Sequence, residues 1–407
     1  MNAVGWKALA ALALVPLAFD TPRRWLEARL RPYSRAVVVV VFAASRLGAC
    51  ALAFLVLEFA LPSDVRGYYT AFAEAALTTG RHESSPYSPG FDYLLAALRW
   101  WSPNLLSVVV VMIVAEVGAL ALLLRFLDRH SPALSRPIAV LWLVSPVSLL
   151  HVALGGQDEA LILLIWTVMA SLAMGGRARA AGMALAIGVA CTKLLGLFGG
   201  LPLVGQPIER TWRAAAAALA AGGVLAAMFV ALGIPFGNAL SESRLVTSGN
   251  VWALPVIAFG SGRPEPALAQ VILALAVLAA AVVYLHRHPW PTSVSQMLRV
   301  SGTIGCVFLL VSQKSFANYL VIFLPGVLFL ALQASPVVRV FLLAVALPVS
   351  AFEPSLWFYF REGDALIGSA GARAAMATAD LTLVLGYVAI ARQGFRPPPG
   401  MPDAVEG

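Results

Sequence analysis

The chain has 407 residues, 60% of them hydrophobic and only 12% charged, with a mean hydropathy of +0.85. A soluble globular domain carries about a quarter charged residues, so that class is excluded, and the length accommodates about 11–13 transmembrane helices of roughly 20 residues. The net charge of +8 does not mark a nucleic-acid binder, because the 28 basic residues stand in short clusters between apolar runs, as the positive-inside rule requires.

Residues 3–19 are apolar but interrupted by Lys7 and Pro16, and no small-x-small cleavage site precedes Arg23-Arg24. They read as an interfacial helix or an extra span. Arg23, Arg24, Arg29, Arg31 and Arg35 place the rest of segment 1–35 in the cytoplasm. The run at 37–61 then crosses outward and delivers Asp64 to the outer face. Segment 62–103 is a first outer loop long enough to form helices of its own. The run at 105–127 returns to Arg125, Arg129 and His130, 137–154 goes out, and 159–174 comes back to Arg177 and Arg179.

The run at 181–204 contains Lys193, Gly199, Gly200 and Pro202. It reads as two short or broken helices forming a hairpin. Further runs at 214–234, 267–286, 298–311, 318–332, 340–352 and 374–390 alternate, and their inner ends carry His286-Arg287-His288, Arg339, Arg392 and Arg396. The Pro-rich stretch 396–407 reads as a disordered cytoplasmic tail. The expectation is one all-α polytopic membrane domain over 1–407. Cys50, Cys191 and Cys306 each lie in an apolar run, so neither a disulfide framework nor a thiolate metal site is implied.

Polar residues in or beside a membrane are costly and need a reason. Asp64 sits just past the first span, followed by Arg66, Tyr68 and Tyr69. It is either a cap or solvated loop acid, or a carboxylate that accepts a proton from a hydroxyl while the aromatics hold an amphipathic substrate. His151 to Glu159 reads His-Val-Ala-Leu-Gly-Gly-Gln-Asp-Glu, a tight reversal between spans. Gln157, Asp158 and Glu159 fall at a helix start, where acids are natural caps. Lys193 has no acid near it in sequence, so it is either a snorkelling cation or one placed to meet a lipid phosphate. Gln313-Lys314-Ser315 and Asn250-Val251-Trp252 form further outer junctions. Arg46 and Glu116 fall at similar depth in neighbouring antiparallel runs and read as a buried ion pair. No Walker loop, dinucleotide fingerprint, zinc spacing or Ser/His/Asp motif is present. An activated donor would therefore arrive in the membrane.

Several segments carry a resemblance: Pro62-Ser63-Asp64 with Tyr68-Tyr69 and Tyr87-Ser88-Pro89, the turn Gly155-Gly156-Gln157-Asp158-Glu159, and Thr192-Lys193-Leu194 followed by Pro202. On these the chain resembles the GT-C superfamily of membrane glycosyltransferases. Its nearest likeness is to bacterial polyprenol-phosphate-mannose-dependent mannosyltransferases and GPI-anchor mannosyltransferases. The resemblance implies a bundle in the bacterial cytoplasmic membrane whose active site faces the exterior. There it would transfer a sugar, mannose by the resemblance, from a polyprenyl-phosphate donor to a glycolipid or glycan acceptor. It makes Asp64 the catalytic base and Lys193, Arg66 and Lys314 the cations on the donor phosphate. Tyr68, Tyr69, His151, Gln157, Asp158 and Trp252 would contact substrate. One acid stands where some members carry two, so no obligatory cofactor is implied and a divalent cation is allowed. The rival readings are a secondary transporter or lipid flippase, for which internal repeats are expected, and a non-catalytic assembly scaffold.

Overall fold

The computed structural model describes residues 11–12, 15–80, 85–204, 206–234, 247–259, 268–290, 293–359, 361–362, 365–366 and 370–397. The tail expected to be disordered lies almost entirely outside them, as does most of the apolar N-terminal segment. The chain folds as a helical bundle. After a 3-10 turn, Val15–Ala18, come α1 (Asp20–Leu30), α2 (Arg35–Ala51), α3 (Thr70–Thr78), α4 (Pro89–Trp101), α5 (Leu106–His130) and α6 (Pro132–Leu143). Then follow α7 (Glu159–Met174), α8 (Ala178–Ala190), a 3-10 segment Leu194–Leu203, α9 (Ile208–Ala231), α10 (Ala253–Phe259), α11 (Leu268–Arg287) and α12 (Ser293–Val311). The last helices are α13 (Leu320–Gln333), α14 (Pro336–Phe341), α15 (Leu347–Tyr359) and α16 (Ala370–Phe395), with a two-residue antiparallel pairing of β1 (Arg361–Glu362) and β2 (Ala365–Leu366) before the last.

Proline and hydroxyl side chains punctuate these helices. Ser34 accepts a bond from Val37 N–H at 3.4 Å and opens α2, while Pro89, Pro132 and Pro336 occupy first-turn positions. There a missing N–H costs nothing.

Among the described residues seven helices are long and apolar enough to cross a membrane, and four more apolar helices are of 10–17 residues. The chain is thus a multi-pass, all-α membrane protein. Its apolar helices are not uniform in build. The run at 137–154 is not one helix: α6 ends at Leu143, Val144-Ser145 intervenes, and Ser148–Ala153 winds as a π-helix. The expected hairpin at 181–204 is present as α8 and the 3-10 segment, with Lys193 in extended conformation between them.

Distinct contacts tie each end of the bundle. At one end Asp128 lies 3.8 Å from Arg35 and 3.4 Å from Arg136, and Asp20 lies 3.1 Å from Arg339. At the other end the first loop folds as α3 and α4 and is tied to the hairpin by Ser88 N–H on the Thr192 carbonyl, 2.9 Å. Trp100 and Trp101 at the end of α4 are 84% and 77% exposed. Such aromatics anchor a helix at the lipid–water boundary.

The α12–α13 pair shows how closely the core is packed. Gly302 and Gly326 put the two backbones in contact, and a Cβ on Gly302 would stand 2.6 Å from the Gly326 carbonyl carbon. Small residues allow this approach between membrane helices. Gly326→Ala should destabilise the protein by about 1–3 kcal/mol through overpacking, read as a lower melting temperature in detergent. Gly222→Ala, which meets open space, should leave it unchanged.

Candidate active site

Two π-helical turns frame the polar end, one immediately after Asp64 (Val65–Tyr69) and one before the Gly155-Gly156 turn (Ser148–Ala153). Such turns shift the side-chain register by one residue and recur at functional sites. Gly156, at φ 63° and with Val109 and Val65 methyls 3.1 Å from where a Cβ would be, makes the reversal that a larger residue would strain.

The turn delivers Gln157 to Asp64, with Gln157 Nε2 donating to Asp64 Oδ2 at 2.9 Å. Asn318, on the short 3-10 turn before α13, donates from Nδ2 to Gln157 Oε1 at 2.8 Å and to Glu159 Oε2 at 3.2 Å. The Gln157 amide therefore has one orientation, with its NH2 toward Asp64. Asp64 is partly exposed, and its Oδ1 carries no hydrogen bond among the described residues.

Behind it lies a buried charge cluster. Asp158 and Glu159 are fully buried at the start of α7. Lys193 Nζ donates to Asp158 Oδ1 at 3.0 Å and to Glu159 Oε1 at 2.7 Å. The Tyr69 phenol donates to Asp158 Oδ1 at 3.2 Å. The rings of Tyr87 and Tyr319 flank the ammonium at 5.4 and 5.2 Å, a desolvated cation–π arrangement. Tyr69 and Tyr87 pack edge-on at 5.9 Å, and Tyr87 and Phe91 lie at 4.5 Å, so the first loop lids the cluster with aromatics. Lys193 lies between α8 and the 3-10 segment and is not an uncompensated cation. Its acids come from 34 and 35 residues earlier, brought back by the α7–α8 hairpin.

Lys314, in the loop after α12, is the second cation in the field of this cluster. Burial first, and then the charge of Lys193, push its ammonium down to about 7. The loop is stitched to a facing turn by Thr247 N–H on the Gln313 carbonyl at 3.0 Å and by Ser315 N–H on Thr247 Oγ1 at 3.0 Å.

The structure thus joins Asp64, Tyr69, Gln157, Asp158 and Lys193 by direct bonds, with Lys314 within electrostatic reach. Four other candidates have different engagements. Arg66 is exposed and donates to the Leu61 carbonyl at 2.8 Å. Tyr68 is 63% exposed beside Phe72. The His151 ring bonds the Ser350 carbonyl at 3.0 Å. Trp252 Nε1 donates to the Val311 carbonyl at 2.8 Å. Asn318 and Tyr319, an outer junction that the sequence left open to phosphate or sugar binding, belong to the network, as does Tyr87. The signal available was their place beside loops that alternation sends to the same end. Among the described residues no group of three or more His, Cys, Asp or Glu is placed to hold a metal ion. Compared with protein-family models, curated proteins and solved structures, the chain finds no match in any of the three.

Proposed function

We propose that the chain is an inverting glycosyltransferase that moves a sugar from a polyprenyl-phosphate donor to a hydroxyl of a glycolipid or glycan acceptor at the outer face of the bacterial cytoplasmic membrane. One observation carries the reading. Asp64 is a partly exposed carboxylate with one oxygen keyed by Gln157 and the other open, in front of carboxylates already matched by Lys193. A base needs an available lone pair, and this is the carboxylate in the cluster that offers one to solvent.

Asp64 takes the proton of the acceptor hydroxyl as that oxygen bonds to the anomeric carbon. The bond from that carbon to the donor phosphate breaks in the same displacement, which inverts the centre and releases polyprenyl phosphate. Lys314 answers the charge growing on the leaving oxygen, with Arg66 at the rim, because a cation in a water-poor site acts strongly on developing charge. Lys193 holds Asp158 and Glu159, so its contribution to the phosphate is through the field rather than through a free ammonium. The gathering of these acids at one end of the bundle favours this reading over a transporter, whose acids belong near the midplane.

The test is transfer of labelled mannose from polyprenyl-phosphate mannose by purified protein, other sugars in parallel, wild type beside Asp64→Asn. Absence of transfer from every polyprenyl-phosphate sugar would sink the reading.

Lys314 adds a pH dependence with a definite sign. A group pushed down to about 7 is charged below that pH and neutral above it. The donor is a phosphodiester, with no titration of its own near neutrality. Donor affinity should therefore be highest below pH 7 and fall by up to about tenfold per pH unit above it. Lys314→Met should bind weakly at pH 6 and match wild type near pH 9, measured as the dissociation constant for polyprenyl-phosphate mannose.

A further inference from the structure

Two acids outside the proposed reaction meet on the last two helices. Glu353 on α15 and Asp380 on α16 are both fully buried. The backbone N–H of Gly249 donates to Asp380 Oδ1. A Cβ on the same glycine, which adopts φ 85°, would stand 4.0 Å from Glu353 Oε2. One turn, residues 247–250, therefore touches both carboxylates, and its buried Ser248 lies beside Glu353.

Both Glu353 oxygens and Asp380 Oδ2 are buried without a hydrogen-bond partner, and no Lys, Arg or His pairs with either acid among the described residues. The Tyr387 phenol supplies a separate observation. It is 3% exposed, its hydroxyl has no hydrogen-bond partner, and it lies within electrostatic reach of Cys306, Glu353 and Asp380. Tyr387 follows Asp380 at the i+7 position, on the same face of α16. Long helical side chains lean toward the helix N-terminus, which carries the phenol back toward Asp380.

An isolated buried carboxylate costs several kcal/mol, on the order of the penalty for any unpaired ion in a protein interior, and two side by side also repel. Among the described residues no positive group balances the pair. Its donors are all oxygen: two carboxylates, a hydroxyl and a phenol. Oxygen sets of this kind select hard cations over zinc or copper, and two negative charges match one divalent ion. We propose that Glu353, Asp380, Ser248 and Tyr387 form a binding site for one divalent cation of the magnesium–calcium class, clamping α15 and α16 to the turn at 247–250. That turn is bonded to the loop carrying Lys314, so loading would also fix the loop. The site stands independently of the glycosyltransferase reading.

The full chain in detergent, stripped with EDTA, is titrated with Mn2+ and followed by electron paramagnetic resonance and melting temperature. One Mn2+ per chain is expected, displaced by Ca2+ or Mg2+, with a melting temperature that climbs as the site saturates. Glu353→Gln and Asp380→Asn should each lose that ion. The amide introduced by Asp380→Asn retains an acceptor for Gly249 N–H, which keeps the turn in place. Asp64→Asn should retain the ion. The proposal is overturned if wild type takes up no stoichiometric Mn2+, if both amide variants bind it as wild type does, or if Asp64→Asn abolishes it. It is equally overturned if the amide variants melt above EDTA-stripped wild type and added cation changes nothing, which is the signature of protonated carboxyls.

Discussion

Asp64→Asn is expected to lower sugar transfer by about 10²–10⁴-fold, the range a positioned general base supplies, with donor affinity and melting temperature close to wild type. The expectation rests on the amide chain behind Asp64. Asn318 donates to Gln157 Oε1, so Gln157 presents only its NH2 toward position 64. An asparagine there must turn its own carbonyl oxygen to that NH2 to keep the bond. Its amide nitrogen then occupies the open position, where it offers protons to the acceptor instead of taking one. The substitution is isosteric and keeps the existing hydrogen bond, so a folding defect is not an alternative account of lost activity. Asp64→Glu should recover part of the rate, because it restores a carboxylate at shifted reach. Wild-type-like turnover in Asp64→Asn would remove Asp64 from the chemistry. An equal loss in both the asparagine and glutamate variants, with a lowered melting temperature, would mark it as a structural cap.

The residues legible in the sequence are those whose partner is fixed by depth or by chain reversal. Arg46 and Glu116 stand at matching depth in neighbouring runs and do pair, with Arg46 Nε 3.8 Å from Glu116 Oε2. The segregation of basic clusters from the longer polar loops is an expectation of alternation, and Arg35 and Arg136 meet at Asp128 while Arg339 meets Asp20. Lys193 shows the limit of reading locally. Its acids are remote in sequence, yet the hairpin between them brings its two ends together, so chain reversal contained the pairing that proximity did not. Asp380 was not legible at all. It lies inside an apolar run whose charge content is otherwise that of a span, and only tertiary packing brings it to Glu353 and Gly249. The π-turns were equally hidden, since a one-residue register shift leaves apolar content unchanged.

The largest stability effect is expected in the first span. Removing one partner of a buried ion pair costs about 3–5 kcal/mol because the other charge is left uncompensated, so Arg46→Leu and Glu116→Leu should each destabilise by that order. The two losses are not equivalent. Besides facing Glu116, Arg46 donates from Nη2 to the carbonyls of Trp142 and Leu143, both at 3.0 Å, and to Ser148 Oγ at 2.8 Å. Those carbonyls lie at the end of α6, where the Trp142 carbonyl also accepts from Ser145 N–H at 3.1 Å, whereas Pro146, three residues after Leu143, has no N–H to offer the Leu143 carbonyl. In a membrane no water replaces such donors. Arg46 is therefore held within the span by two demands, a carboxylate and a broken helix end, and the Phe42 ring 4.4 Å from its guanidinium carbon closes the remaining side. Arg46→Leu should be the worse single variant. The double variant relieves the stranded charge but not the stranded Leu143 carbonyl, so it should remain below wild type by about 1–3 kcal/mol. A double-mutant cycle on denaturation in detergent should accordingly give a coupling of roughly 0.5–3 kcal/mol, with the double variant more stable than the sum of the singles. Strict additivity would show that the pair is not electrostatically joined. A double variant as stable as wild type would show that the Leu143 carbonyl finds another donor once Arg46 is gone.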